Sequence, residues 1–193
     1  MVGRNTAEKE IDGKPIILGR KELEDFLPHR RRALLLKKGW LEIKDGKVIA
    51  NAVFYAHPRY FKGHFPGDPV LPGHILQEAC CQTSALLFPY SPANQVRLVS
   101  VNVEFKEEVK PGQTVLLRAW FTREGSVNFR IAGEAICEGG KVLNLEKAML
   151  KIVPQIEKAK KRGLMKLIAA LARAFYMSIS FFSGLPYPGS QNT

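Results

Sequence analysis

The spacing of hydrophobic positions changes along this chain, and each change predicts a different element. In RKELEDFL, residues 20–27, Leu23, Phe26 and Leu27 recur on one side at helical spacing and Pro28 ends the run, so a short helix is expected. WLEIKDGKVIANAVF, residues 40–54, predicts two strands joined at Asp45-Gly46, a dipeptide that supplies the positive φ angles of a tight hairpin. Residues 56–72 carry Pro66, Pro69 and Pro72, which fix φ and withhold backbone donors, so a stiff but irregular loop is expected. From Gly73 to Phe88 the text is apolar on nearly every side, with Glu78 as its only formally charged residue. A helix that is apolar all round is a buried one, and Pro89 closes it.

Four segments rich in Val, Leu, Ile and Phe follow, at about 95–109, 113–123, 127–138 and 141–153. Lys110-Pro111-Gly112, Glu124-Gly125-Ser126 and Gly139-Gly140 separate them, each short enough for a hairpin, which predicts an antiparallel meander. With the first hairpin this makes six strands and one long buried helix. A single curved antiparallel sheet wrapped around a central helix buries all of them, an α+β architecture.

The pattern changes again after Pro154. QIEKAKKRGLMKLIAALARAFYMSISFF begins basic and turns apolar, with Leu164, Leu167, Ile168, Leu171 and Phe175 on one helical face. We therefore divide the chain into a domain over 1–153 and a basic amphipathic helical extension over 154–193. Crossing a bilayer would bring Lys166 and Arg173 to a cost of about 2.5–3.5 kcal/mol each near its centre. The extension is expected instead to lie on something, either a membrane surface through residues 158–182 or a groove on the protein itself.

Composition narrows the picture. The 193 residues, 46% hydrophobic, support one core and an appendage rather than two domains. The opening MVGRNTAEKEIDGKP is polar and mixed in charge, unlike a secretion signal, so a cytoplasmic location is expected, peripheral to a membrane if the extension binds one. Three cysteines, two of them adjacent at Cys80 and Cys81, match neither a disulfide framework nor a zinc finger and are expected as small core residues. Lys and Arg number 29 against 18 Asp and Glu, a net of +11, so the partner is expected to be acidic. Nucleic acid is disfavoured because zinc-finger spacing and interleaved aromatic and basic residues are both lacking. An acidic protein and an anionic membrane surface remain.

Candidate chemistry gathers where the proline loop meets the helix. The first N–H groups of a helix starting at Pro72-Gly73, and the positive end of its dipole, point into the loop that holds His64. A carbonyl oxygen placed there would be polarised, and Glu78, about a turn and a half further on, is expected to face the same space. An imidazole titrates near neutrality and suits proton abstraction, whereas a carboxyl in apolar surroundings has its pKa raised and can serve as an acid. Plainer readings stand beside these. His64 can simply pack against Phe65, Glu78 can be paired with a basic group, and Gln82 can either orient Glu78 or satisfy a backbone group. His74 and Glu78 have the i,i+4 spacing of metal ligands, but no third ligand is evident and no metal is expected. Cys80 and Cys81 read as packing rather than nucleophiles. His29 with Arg30, Arg31 and Arg32 reads as a phosphate site or as a solvated basic turn.

HFPGDPVLPGHILQEACCQ, residues 64–82, resembles the active-site segment of the (3R)-hydroxyacyl-ACP dehydratases of the FabZ type. LPHR at Leu27 to Arg30 resembles that family's opening motif, and FKEEVKPGQ at Phe105 to Gln113 is similar to its sheet segment. The resemblance implies a hot-dog fold and the reversible dehydration of a 3-hydroxyacyl thioester to the trans-2-enoyl thioester, in fatty-acid or polyketide- and polyene-like synthesis. It implies His64 as the catalytic histidine, Glu78 as the catalytic acid, Gly73 and Gln82 at the thioester carbonyl, and Phe65, Pro72 and His74 along the substrate tunnel. It also implies that the histidine and the acid come from opposite subunits of a homodimer, often assembled into a hexamer. No metal or redox cofactor is implied. The acyl chain would ride on the phosphopantetheine arm of an acyl carrier protein, an acidic partner that accounts for the basic surface. GDPV at Gly67 to Val70 resembles the sister group that also isomerises the double bond, but that group has Asp where this chain has Glu78, so dehydration alone is expected. The alternatives are a hot-dog thioesterase, which directs water with a carboxylate, and a non-catalytic carrier-binding module.

Overall fold

Helix α1, Arg20–Phe26, exists because one of its faces has a core to enter: Leu23 is wholly buried, Leu27 is buried just past its end, and Phe26 packs partly against the same cluster. The structure, a computed structural model, describes residues 15, 17–88, 94–125 and 128–154. The expectations for Pro89 and for the extension beyond 154 fall outside the described residues. Among the described residues no helix is long and apolar enough to cross a membrane.

Strands β1, Leu36–Lys44, and β2, Lys47–Tyr55, form the predicted hairpin. Asp45 and Gly46 both take positive φ, 52° and 71°, as a two-residue turn of this twist requires. Helix α2, Gly73–Ala85, follows the proline loop and packs against all six strands. It ends three residues before the expected Phe88, because Leu86, Leu87 and Phe88 leave it through i→i+3 turns with their side chains still buried. Burial alone does not separate a last helical turn from such a turn.

The remaining strands are β3, Asn94–Phe105; β4, Thr114–Arg123; β5, Asn128–Cys137; and β6, Gly140–Pro154. All neighbours are antiparallel, in the order β1-β2-β4-β5-β6-β3. The sheet curves around α2 in the expected hot-dog arrangement. Strands β4, β5 and β6 form a meander, but β3 does not join it through a hairpin. It pairs with β6 at the far edge, from Asn94↔Pro154 to Phe105↔Leu143, while β4 lies beside β2. The Lys110-Pro111-Gly112 turn is therefore part of a crossing segment, residues 106–113. Its backbone is held elsewhere: Lys106 N–H donates to Val142 O (3.0 Å), Leu71 N–H donates to Val109 O (2.9 Å) and Gly112 N–H donates to Ala56 O (2.8 Å). These bonds bring the crossing segment against the proline loop. The inward faces of the strands supply Phe54, Leu117, Ile131, Leu143 and Leu145, all almost fully buried, each stabilising the fold by about 1.5–3 kcal/mol.

Candidate active site

The proline loop holds its shape through its own backbone. After the short 3₁₀ turn Pro58–Phe61, His64 N–H donates to Phe61 O (3.0 Å) and Val70 N–H donates to His64 O (3.0 Å), while Phe65 and Asp68 exchange backbone bonds of 3.2 and 3.3 Å. The Lys110 ammonium, donating to Asp68 Oδ1 at 2.8 Å, ties the loop to the crossing segment. Inside this frame the half-buried His64 ring has Nδ1 2.9 Å from Val70 O. A carbonyl can only accept, so Nδ1 carries a hydrogen, which in the neutral tautomer puts the ring's lone pair at Nε2.

His64 lines an open cavity of about 600 Å³ together with Gly73, Leu76, Phe105 and the crossing residues Lys106 to Val109. The first turn of α2 thus reaches the same space as the histidine, as the sequence suggests. Pro72 caps the helix without a side-chain hydrogen bond to its first N–H groups, which have no intrahelical partner. The Phe105 ring, half exposed, lies directly on Gly73: a Cβ built at that glycine would stand 2.6 Å from Phe105 Cζ. Only a residue without a side chain permits this contact.

Glu78 is not among the residues lining that cavity. Helical geometry explains its absence. Leu76 faces the cavity, and two residues on the side chain has turned about 200° around the axis. Glu78 faces the loop of residues 27–35 instead, half exposed, with Oε1 3.4 Å from His29 Nε2 and accepting a hydrogen bond of 2.9 Å from Gln82 Nε2. Both contacts fall on the same oxygen. Burial pushes its carboxyl up, but the His29 and Gln82 contacts more than offset this and leave it below the usual carboxylate range. The expectation of a raised pKa is thus corrected. An apolar helix face was the basis for that expectation, but the groups that favour the charged form come from another segment.

Gln82 is 1% exposed and does not line the cavity where the thioester carbonyl was expected; its side chain instead bonds both Glu78 and the backbone of another segment. Besides Glu78, its Nε2 donates to Ala33 O (2.7 Å) and its Oε1 accepts from Leu35 N–H (3.0 Å), so it clamps the 27–35 loop to α2. Gln82→Leu would leave Ala33 C=O and Leu35 N–H without partners, and is expected to lower stability by about 2–4 kcal/mol, read from urea unfolding. A loss below about 0.5 kcal/mol would mean that the loop repacks without it.

The other predicted residues lie as follows. Phe65 is exposed and stacks on His64, with ring centroids 4.0 Å apart. Pro72 is buried and His74 is exposed; neither they nor Phe65 line the cavity. Cys80 and Cys81 are core residues, and burial pushes the Cys81 thiol up to about 12 and the Cys80 thiol higher. Two features escaped the sequence reading. The cavity wall contributed by Phe105 to Val109 was visible only as strand text, and the contact of His29 with Glu78 was hidden in what read as a basic turn.

Residues 41–141, which include His64, Gly73, Glu78, Gln82 and the residues of the cavity wall, match a family described as ApeI-like, ApeI dehydratase. This chain belongs to the ApeI-like dehydratases. Proteins named 3-hydroxyacyl-[acyl-carrier-protein] dehydratase FabZ are similar to it. The one from Dinoroseobacter shibae is 34% identical over 143 residues, 69% of this chain and 86% of its own length. The one from Listeria monocytogenes is 33% identical over 129 residues, 61% of this chain and 89% of its own length. Among solved structures, an uncharacterized protein from Pyrococcus horikoshii superposes with a TM-score of 0.54 at 16% identity, covering 67% of this chain and 92% of its own, a likeness of fold. In this ApeI-like dehydratase the His64 ring and the N-terminus of α2 line one cavity.

Proposed function

We propose that this chain catalyses the reversible loss of water from a (3R)-hydroxyacyl thioester carried on an acyl carrier protein, yielding the trans-2-enoyl thioester. The observation that carries this reading is the His64 ring: its Nδ1 is tied to Val70 O, which leaves Nε2 as the nitrogen to take a proton, and the residue lines the cavity that also receives the start of α2. The thioester carbonyl would rest on the N–H of Gly73, where helix-end donors favour the enolate-like charge that forms when Nε2 takes the α-proton. Glu78 would deliver a proton to the 3-hydroxyl as the C–O bond breaks. No step in this sequence needs a metal or a redox cofactor.

Glu78 faces away from the cavity of its own chain, so the reading places a second copy across the site. Strand β3 supports this. Among the described residues it lies at the edge of the sheet with β6 as its one strand neighbour, and it exposes Leu98, Val99 and Phe105. Long apolar edges recruit another strand. Because Phe105 also lines the cavity, a partner copy on this edge sits at the cavity rim, where its Glu78 would complete the site.

Incubation with 3-hydroxyacyl carriers of several chain lengths tests the proposal: enoyl absorbance and loss of one water by mass spectrometry are expected. Release of free thiol with no enoyl product would make the chain a thioesterase instead. Gly73→Ala would drive the Phe105 ring off the helix end and misplace the carbonyl, with an expected loss of about 10- to 100-fold in kcat/KM while the thermal midpoint stays nearly unchanged. An alanine variant with full turnover would show that the carbonyl does not bind at this helix end.

A further inference from the structure

The proposed dehydration requires a proton at Glu78, yet the carboxyl is surrounded by groups that favour its charged form. Two N–H bearing groups stand at Oε1. The Gln82 amide, at 2.9 Å, holds its protons too tightly to release one. The His29 imidazole, with Nε2 at 3.4 Å, is the one whose ring nitrogen can both carry and release a proton. His29 is itself held in place: the guanidinium of Arg30 donates to His29 O (2.8 Å) and Leu27 O (2.5 Å), and Gln82 anchors the end of the same loop. His29 Nδ1 is buried with no hydrogen-bond partner among the described residues, which leaves Nε2 as the ring atom through which the imidazole interacts. On its own helix Glu78 also acts on Cys81, whose buried thiol is pushed up to about 12 by burial and then by the Glu78 charge and keeps its proton. Arg30 is a permanent cation and stores no exchangeable proton.

We propose that His29 and Glu78 form a proton-sharing pair, in which His29 stores the proton that Glu78 passes to the departing hydroxyl. The inference rests on the dehydratase reading and deepens it. In the resting pair His29 is an imidazolium and Glu78 a carboxylate. As the substrate Cα–H bond breaks, its proton goes to His64 Nε2 and its electron pair forms the C=C bond. The C–O bond breaks with its pair on oxygen, which takes from Glu78 the proton that His29 Nε2 has passed to Oε1. Water leaves, His29 is neutral and Glu78 is again a carboxylate. The proton now on His64 returns through solvent to His29, which restores the starting state. His29 acts through Glu78 and is therefore a positioning residue and proton partner, not a group that touches substrate.

The test uses the full-length assembled protein. His29→Gln places an amide donor near the position of Nε2 without an exchangeable proton, and His29→Ala removes the donor as well. For His29→Gln, a folded protein with nearly unchanged KM is expected, with kcat lower by about 100-fold at neutral pH. Its pH optimum is expected to move towards acid, because the carboxyl alone must then hold the proton and, with amide donors on it, does so only as the pH falls. His29→Ala is expected to be weaker still at neutral pH. Independently of turnover, the ¹³C resonance of the Glu78 side-chain carboxyl should titrate with two inflections in the wild type, one reporting its neighbour, and with one in His29→Gln. A single inflection in the wild type, or a His29→Gln enzyme with unaltered kcat and pH optimum, would overturn the pair. Two inflections in a wild-type protein that dehydrates no substrate would keep the pair and overturn the reaction assigned to it.

Discussion

His64→Ala is expected to give a folded protein whose dehydration rate is lower by about 10²- to 10⁴-fold, the range a positioned acid or base supplies. The fold should survive because the loop is held by backbone bonds, His64 N–H to Phe61 O and Val70 N–H to His64 O among them, which do not involve the ring. The ring itself contributes one hydrogen bond, to Val70 O, worth about 1 kcal/mol. His64→Asn is the sharper variant. Its amide can still donate to Val70 O, so the local structure is kept, but nothing remains at the position of Nε2 to accept the α-proton. Both variants should melt close to the wild type and show only residual enoyl formation. Turnover by His64→Asn within about twofold of the wild type would remove the histidine from the mechanism.

Glu78→Gln is expected to cost a similar factor, because an amide of the same shape keeps the contacts to His29 and Gln82 but has no proton to give. Its stability should change little, since the side chain is half exposed and remains hydrogen-bonded. The stronger measurement combines the two lesions. If each site takes His64 from one copy and Glu78 from the other, co-expressed His64→Ala and Glu78→Gln chains form mixed dimers in which one site has both lesions and the other has none. Random pairing would then restore about one quarter of the wild-type rate, although neither variant alone is active. Recovery of activity on mixing would be hard to obtain from a site contained in one chain. No recovery from verified mixed dimers would confine the site to a single subunit, and the orientation of Glu78 away from the cavity would then argue against its role.

Much of the fold was legible because its signals are local. The Asp45-Gly46 turn, the interrupted helix at Pro28 and the Val-, Leu-, Ile- and Phe-rich runs of β4 and β5 each depend on a few consecutive residues, and the structure follows them. The place of β3 depends on something else. Lys110-Pro111-Gly112 makes a turn wherever it lies, but whether β3 folds back on β4 or crosses to β6 is decided by which edges are already taken, and β2 holds the edge of β4. The candidate site divides the same way. His64 in a loop facing a helix start could be read from the sequence, and the role of Gly73 came with the family resemblance. The Phe105 ring that makes the glycine necessary comes from a distant strand.

Alone, the amino-acid order determined the period of each element, the six strands and buried helix that period implies, and the residue types able to do acid–base chemistry, because all three follow from neighbours along the chain. Tertiary structure decided the strand order, the cavity wall and the charge state of Glu78. Those depend on groups brought together from remote segments, and a carboxyl's proton affinity answers to whatever stands within a few ångströms of it, here an imidazole and an amide, rather than to the apolar text on either side.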